Sequence, residues 1–472
     1  MRRLNIADSN FLLAENRETP MHVGALNVYT LPKGVSQRSY MKELLSILRR
    51  DDPLLPPFGE RLDPGLLGRT GLVRHWVPDE HMDMEYHVRH AALPKPGRYR
   101  ELFALASRLH STLLDRNRPL WVMYVIEGLN KRQFATYFKV HHCAIDGTRG
   151  VHLMQSMLSP SPEGHVDYSP LSLQAWETYK HRIGSESGAG AASPTDLKAV
   201  AEALRQQLGV TVDVLGGLRR YGQVWLGMGG RLAAPWHRVP HGLLTQKISG
   251  SRRLVAESWP FDRVHDVGRA LGATLNDVVL AMCAGALRRY HESQGESLDR
   301  PLKALAPISV RTGGDIDSAN AIGFIITSLA TDIPDPERRL RAIQASMQAG
   351  KDLYATLSPE AASLFTAVAF SPMLLTNFLG TANWFPAYNL VISNVPGPKQ
   401  PMYWNGAPLD GIYPMNIVVH GQAMSITLVS YAGNLDFGIV ACRRSVPRVQ
   451  RMLGYLEESL TELESVAGTR AA

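Results

Sequence analysis

Two adjacent histidines, followed by an aspartate and a glycine, are the residues of this chain best suited to do chemistry. They lie in segment 140–147, whose sequence is VHHCAIDG. The preceding residues alternate in the way that predicts a β-strand. Because successive side chains of a strand point to opposite faces, His141 and His142 should face apart, and only one can meet a given substrate. A histidine held at a strand end is suited to act as a general base.

Simpler interpretations of this segment remain open. A single histidine in an apolar strand is more often a buried structural residue than a catalyst. Asp146 and Gly147 alone would predict only a turn. A metal site is disfavoured, because adjacent strand residues cannot converge on one ion and no Cys-x-x-Cys or His-Glu-x-x-His pair accompanies them. We therefore predict no metal ligands.

The composition is that of a globular protein with two domains. The chain has 472 residues, of which 45% are hydrophobic and 20% charged, and its net charge is +7. That charge is compatible with nucleic acid, an anionic membrane surface or a phosphorylated molecule as partner. The basic residues are spread along the chain without a dense tract, so nucleic-acid binding is not expected.

The compartment is predicted to be the cytoplasm. Three widely separated cysteines in apolar surroundings indicate reduced, buried thiols: Cys143, Cys283 and Cys442. The N-terminus does not read as a signal peptide, and no apolar run reaches the roughly 18–20 residues of a spanning helix. The nearest, 364–379, is interrupted by Ser371-Pro372 and is a candidate for docking to lipid. Any membrane contact should be peripheral.

Composition shifts divide the chain into three parts. Residues 1–183 are predicted to form a first lobe that carries the two histidines. Residues 184–245 are predicted to be a linker and crossover helices, beginning with a stretch rich in Gly, Ser and Pro. Residues 246–472 are predicted to form a second lobe. Trp225, Leu226 and Met228 at the end of the crossover are expected to pack between the lobes.

A second candidate site lies at the start of a predicted helix in the second lobe. Thr274 and Asp277 have the spacing of a capping box, in which each side chain satisfies a backbone N–H of the other residue. Asn276 lies between them and precedes the apolar run 278–281. The helix cap is a sufficient explanation for Asp277, and Asn276 is left as a candidate functional residue.

Further short motifs complete a pattern that covers nearly the whole chain. They are MHVGAL at 21–26, PLW at 119–121, EGL at 127–129, the HHxxxDG motif at 141–147, ND at 276–277, PISVR at 307–311 and SNVPGP at 393–398. In this order they resemble the bacterial wax ester synthase/acyl-CoA:diacylglycerol acyltransferases, members of the CoA-dependent acyltransferase superfamily.

The resemblance implies an α/β (α+β) fold of two chloramphenicol-acetyltransferase-like lobes with a substrate tunnel between them. It implies an O-acyltransferase that moves a long-chain acyl group from acyl-CoA to a fatty alcohol or to diacylglycerol, making a wax ester or a triacylglycerol. Acyl-CoA would be a substrate, and no cofactor would be needed. His142 would be the general base of a direct attack on the thioester.

The resemblance also assigns roles to other residues. Asp146 would pair with an arginine and fix the turn that carries His142, and Gly147 would leave room for substrate. His141 would be structural. Asn276 would lie near the thioester carbonyl or the acceptor hydroxyl.

Arg252 and Arg253 are the candidates for binding the CoA phosphates. Two other functions remain possible on the same fold. One is a condensation-type enzyme that uses carrier-bound acyl groups, and the other is a non-catalytic lipid-droplet scaffold. Net charge does not separate the first from the CoA-dependent enzyme, because CoA and carrier proteins are both acidic. The intact HHxxxDG motif disfavours the scaffold.

Overall fold

A computed structural model describes residues 2–4, 6–63, 75–145, 147–184, 197–309 and 322–471. Helices and strands are mixed along these residues, as predicted for an α/β (α+β) protein. The helices are α1 (Ile6–Ala14), α2 (Gln37–Leu48), α3 (Met84–His87), α4 (Tyr99–His110), α5 (Gly147–Ser156), α6 (Leu173–Arg182), α7 (Leu197–Trp225), α8 (Phe261–Leu271), α9 (Leu275–Ser293), α10 (Pro336–Ala355), α11 (Pro359–Phe378) and α12 (Arg451–Ala471). The strands are β1 (Arg2–Arg3), β2 (His22–Thr30), β3 (Glu60–Leu62), β4 (His75–Pro78), β5 (Val88–Ala92), β6 (Trp121–Glu127), β7 (Gln133–His141), β8 (Arg252–Pro260), β9 (Lys303–Ser309), β10 (Ile322–Ser328), β11 (Leu390–Pro396), β12 (Tyr403–Trp404), β13 (Ala407–Met415), β14 (Met424–Tyr431) and β15 (Asn434–Cys442).

The first lobe is built on a six-stranded sheet whose centre carries the histidines. Its order is β12-β13-β2-β7-β6-β5. β7 is antiparallel to both neighbours, and His141 lies opposite His22 on β2. Most of β7 is buried on both faces, which accounts for its nearly continuous apolar and aromatic sequence. The end of a central strand is a rigid place from which to hold a side chain.

The second lobe is built on another six-stranded sheet, in the order β10-β9-β11-β14-β15-β8. β11 runs parallel to β9 and β14, and the other neighbours are antiparallel. α9 packs against α8, α10 and α12 and is buried along most of its length. α4 of the first lobe packs against β8, so the two lobes share an interface.

The strand pair β12–β13 crosses from one lobe to the other. By sequence it lies within the predicted second lobe, 246–472, yet β13 pairs with β2 and extends the first sheet. The domain prediction therefore needs this amendment. The physical reason is that β2 needs a partner on its outer edge. β13 also stays tied to the second lobe, because the Ile412 N–H donates to Asp436 Oδ2 on β15 at 2.7 Å.

The predicted crossover contains the long helix α7. Residues 185–196, which precede this helix, lie outside the described part of the chain. The expectation that Trp225, Leu226 and Met228 pack between the lobes is wrong. They are 54%, 74% and 66% exposed, whereas Val214 and Tyr221, earlier on α7, are buried. Apolar character alone does not distinguish a buried helix end from an exposed one.

Helix α11 continues through Pro372, which lies inside it. Proline has no N–H, so the Val368 carbonyl loses its usual helical partner. The Ser371 hydroxyl donates to that carbonyl at 2.8 Å and satisfies it instead. Among the described helices, none alone is long and apolar enough to cross a membrane. In the part of the chain that the structure describes, α8 and α9 together reach that length and composition, across a bend of 102°.

Candidate active site

The turn that follows β7 is anchored to the strand beside it. The His142 N–H donates to the Met21 carbonyl at 2.9 Å, and the Ala144 N–H donates to the His141 carbonyl at 2.9 Å. α1 contacts α11, and α5, which follows the turn, contacts β11. Elements on both sides of the turn thus touch the second lobe. The turn therefore lies close to the region where the lobes meet.

His141 is completely buried and faces a carboxylate. The Cys143 N–H donates to His141 Nδ1 at 3.2 Å, so the other ring nitrogen, Nε2, is the one that faces the carboxylate. Nε2 lies 3.4 Å from Glu15 Oε1, and both side chains are at most 2% exposed. The predicted structural role of His141 agrees with this position. Its ring is enclosed within the protein between these partners.

Glu15 gathers several segments around His141. It accepts from Arg116 Nη2 at 2.8 Å and Nε at 3.0 Å, and from the Met21 N–H at 3.1 Å. Burial raises the pKa of Glu15, but the hydrogen bonds and charge from His141, Met21 and Arg116 outweigh it and lower the pKa to about 2. Glu15 is therefore ionised and joins the end of α1, the start of β2 and the end of β7.

His142 has different surroundings from His141, as the strand alternation predicted. Its side chain is half-buried, and its ring stacks on Phe11 of α1 with centroids 4.2 Å apart and planes at 12°. Stacking restricts the orientation of the imidazole. The two histidines of the motif are thus separated into one with buried partners and one at a partly open position.

The remaining motif residues are only partly described. Asp146 lies outside the described residues, so its predicted pairing with an arginine stays a prediction. Gly147 is the first residue of α5, and its predicted role in leaving room for substrate also remains untested.

The capping box predicted in the second lobe is confirmed. The Thr274 N–H donates to Asp277 Oδ2 at 3.0 Å, and the Asp277 N–H donates to Thr274 Oγ1 at 3.2 Å. Asp277 is buried by this cap. Asn276 is half-buried in the first turn of α9. No described contact joins Asn276 to His142, and its catalytic role stays a prediction.

Arg252 has a structural position that the sequence did not reveal. It is 5% exposed, and its guanidinium donates to the carbonyls of Ser249, Glu18 and Val418. Burial lowers the pKa of Arg252 to about 10. These contacts join the lobes and direct its donors at the backbone, which does not support the prediction that it binds CoA phosphates. Arg253 is half-buried, and the same prediction for it is untested.

A buried lysine behind the histidines holds the end of a helix. Lys139 Nζ donates to the carbonyls of Leu109 at 2.9 Å and Thr112 at 2.8 Å, beside the C-terminus of α4. A cation at this end of a helix satisfies carbonyls that lack helical partners. Burial lowers the pKa of Lys139 to about 7. Because α4 packs on β8, this contact links the central strand of the first lobe to the interface with the second.

Sequence reasoning missed Glu15, Arg116 and Lys139. Glu15 and Arg116 are 101 residues apart, and no local spacing indicates that they pair. Within the described residues, no group of three or more His, Cys, Asp or Glu side chains is placed to hold a metal ion.

The two-sheet fold, with the HHxxxDG turn at the end of a central strand, defines a class of two-lobed acyltransferases. Residues 4–279 match the wax ester synthase/diacylglycerol acyltransferase catalytic domain, and residues 318–464 match the C-terminal domain of the same proteins. The chain therefore belongs to the wax ester synthase/diacylglycerol acyltransferase family and is an acyltransferase.

Individual relatives agree over their whole length. A probable diacylglycerol O-acyltransferase of Mycobacterium tuberculosis is 40% identical over 98% of each chain. The solved wax ester synthase/diacylglycerol acyltransferase of Marinobacter aquaeolei is 37% identical, with a TM-score of 0.78 over 99% of this chain and 100% of that one. The first condensation domain of the calcium-dependent antibiotic synthetase, at 18% identity and a TM-score of 0.60 over 100% and 97% of the two chains, shares the fold alone.

Proposed function

We propose that this protein transfers a long-chain acyl group from acyl-CoA directly to the hydroxyl of a fatty alcohol or of diacylglycerol, with His142 as the general base. The observation that carries the proposal is that the two histidines of the motif have different surroundings. His141 is completely buried and faces Glu15, whereas His142 is only half-buried and stacks on Phe11 of α1, a helix that contacts the second lobe. The family membership supports the substrate classes.

The chemistry requires one base and no covalent enzyme intermediate, because a thioester is already activated. The neutral imidazole of His142 removes the proton of the acceptor hydroxyl as the oxygen attacks the thioester carbonyl. The new C–O bond forms, the C–S bond breaks, and the imidazolium returns the proton to the departing thiolate. The products are the ester and free CoA. Positioned acid–base catalysis of this kind contributes about 10²–10⁴-fold.

The surrounding residues are proposed to position the base and stabilise the developing charge. Asp146 would fix the turn, and Gly147, at the start of α5, would leave space beside it. Asn276 is the candidate donor to the oxyanion, a contribution that is large in acyl transfer. A tunnel between the lobes would bring acyl-CoA and acceptor to His142 from different sides and limit hydrolysis by water.

The expected location is the cytoplasmic side of the inner membrane or the surface of lipid bodies. Both acceptors and the esters formed are far more soluble in lipid than in water. An enzyme that acts on them gains access to substrate by binding such a surface.

The test is an assay with purified protein, palmitoyl-CoA and either hexadecanol or a diacylglycerol. Free thiol and ester are quantified in the same reaction. Equal amounts of both would support direct transfer from acyl-CoA, and thiol without ester would indicate hydrolysis. Ester formed only from a carrier-bound acyl group would favour the condensation-type enzyme. No product from either donor with folded protein would favour the lipid-droplet scaffold.

A further inference from the structure

An exposed apolar surface on α7 and α11 is not used by the proposed chemistry. Its most exposed side chains lie just after α7, in the last turn of α11, at the residue that follows it and in the next loop. We define the α7–α11 surface by six residues that are all at least 59% exposed: Leu226, Met228, Leu375, Leu379, Trp384 and Phe385. Isolated apolar side chains are common at protein surfaces, but a contiguous group usually marks a binding site.

Contacts between α7 and α11 hold the two helices together beneath this surface. The ring of Tyr221 on α7 lies 5.3 Å from that of Phe365 on α11. Gly217, one turn earlier on α7, lies directly against the same phenylalanine. The helices therefore pack side by side on the second lobe, and their outward faces adjoin.

The segments beyond both helices also come together. The Trp236 N–H donates to the Ala387 carbonyl at 3.0 Å. The Trp225 ring lies 5.5 Å from that of His237. These contacts bring the exposed end of α7 to the loop that carries Trp384 and Phe385.

After Glu360 in its first turn, α11 carries no charged residue. No Asp, Glu, Lys or Arg occurs between Glu360 and Lys399. A helix exposed to water normally has charged residues on its outer face. The composition of this helix instead suits contact with an apolar phase.

A positively charged segment borders the apolar one. No Asp or Glu occurs between Asp213 and Glu257, and this stretch has exposed basic residues: Arg219, Arg220, Arg231, Arg238 and Lys247. Basic residues beside exposed aromatic and aliphatic side chains are typical of surfaces that bind anionic lipid. A second copy of the chain fits less well, because a symmetric contact brings identical charges together.

The surface is also connected to the catalytic turn. α1 packs against α11, and α1 carries Phe11, whose ring stacks on His142. We propose that the α7–α11 surface docks onto an anionic lipid surface, with its apolar side chains inserted and its basic residues against the headgroup phosphates. This inference rests on the proposed function and deepens it, because it specifies which face of the enzyme meets the lipid.

The first experiment measures co-sedimentation of the full chain with phosphatidylcholine vesicles that contain phosphatidylglycerol. Leu226→Asp and Leu379→Asp are each expected to lower the partition coefficient by about tenfold or more, since each removes an inserted leucine. Leu173→Asp on α6 is the matched control, at a position 42% exposed in the first lobe. It should change the coefficient by less than about twofold.

The second experiment tests the charge. Arg219→Ala combined with Arg231→Ala should weaken binding to the anionic vesicles by about tenfold or more and have little effect on pure phosphatidylcholine vesicles. Arg443→Ala combined with Arg444→Ala is the control, because both residues are exposed outside this surface. Unfolding temperatures verify that every variant is folded.

The outcomes separate docking from catalysis. Unchanged vesicle binding in the aspartate variants would overturn the inference. If these variants were monomers while the wild type was a dimer, with vesicle binding unchanged, the surface would instead be a contact between two copies of the chain. Acyl transfer from detergent-dispersed substrates should survive in these variants. Wild-type protein that binds vesicles but transfers no acyl group would contradict the proposed function and leave the docking surface standing. Wild-type protein that transfers the acyl group but does not bind vesicles would overturn the docking inference and leave the proposed function standing.

Discussion

The buried contact between Glu15 and His141 fixes the end of the strand that carries His142, the proposed base. A carboxylate taken out of water is costly unless it receives several hydrogen bonds. Glu15 receives them from Arg116 and Met21, and it faces His141 at 3.4 Å. The contacts remove freedom from the strand end that carries His142. Positioning to within a fraction of an ångström is what a general base requires.

Glu15→Gln should reveal the stabilisation stored in this contact. The pKa of Glu15 is about 2 in the folded protein against 4.5 without these contacts. The carboxylate therefore stabilises the fold fully above pH 4.5, by about 3 kcal/mol, and this contribution disappears as the pH falls towards 2. Urea unfolding of wild type and variant should show a difference at pH 7 that shrinks with acidification.

The matched control is Glu80→Gln, at an exposed position. It should leave the free energy of unfolding within about 0.5 kcal/mol of wild type. A difference between wild type and Glu15→Gln that stayed constant from pH 7 to pH 3 would show that the charge of Glu15 does not contribute as described.

The cap at the start of helix α9 distinguishes structural residues from candidate functional ones in the first turn. Asp277 is buried in the capping box with Thr274, whereas the neighbouring Asn276 is half-buried. Residues of one short motif thus have different surroundings.

Asp277→Ala should lower stability, whereas Asn276→Ala should lower the catalytic rate. Loss of the cap should lower the free energy of unfolding by about 1–2 kcal/mol, with kcat of the folded enzyme nearly unchanged. Loss of an oxyanion donor at Asn276 should lower kcat by about 10²–10³-fold with little change in stability. Thermal unfolding and steady-state rates at 25 °C measure both. A full-rate Asn276→Ala enzyme would remove Asn276 from the mechanism.

Local patterns were sufficient for these elements and insufficient for their partners. The strand before the motif, the opposite environments of the two histidines and the Thr274–Asp277 cap all follow from spacings of a few residues. The contact of Glu15 with Arg116 does not, because it depends on how distant segments fold together. Trp225 and Leu226 were misassigned for the same reason: burial is decided by the neighbours that a helix meets.

Strand β13 joins the two lobes, because it lies in the second lobe by sequence but pairs with the sheet of the first lobe. β13 completes the first sheet, and its Ile412 N–H remains bonded to Asp436 of the second. Arg252 adds contacts across the same boundary. Chain length and composition shifts predicted two lobes, but strand exchange has no local signature.

The exchange predicts that the lobes unfold together. Urea transitions followed by tryptophan fluorescence and by circular dichroism should coincide. Residues 1–183 expressed alone should aggregate, because removal of β13 exposes the edge of β2. Two separated transitions, together with a soluble, folded fragment 1–183, would show that the lobes are independent.

The role of His142 is tested most directly by kcat for acyl transfer from palmitoyl-CoA to hexadecanol in wild type and His142→Ala. We expect kcat to fall by about 10²–10⁴-fold with the unfolding temperature unchanged, because the variant lacks the base but keeps the Glu15–His141 contact. His81→Ala, which replaces an exposed histidine, should retain wild-type activity. A folded His142→Ala enzyme with kcat within about twofold of wild type would contradict general-base catalysis by this residue.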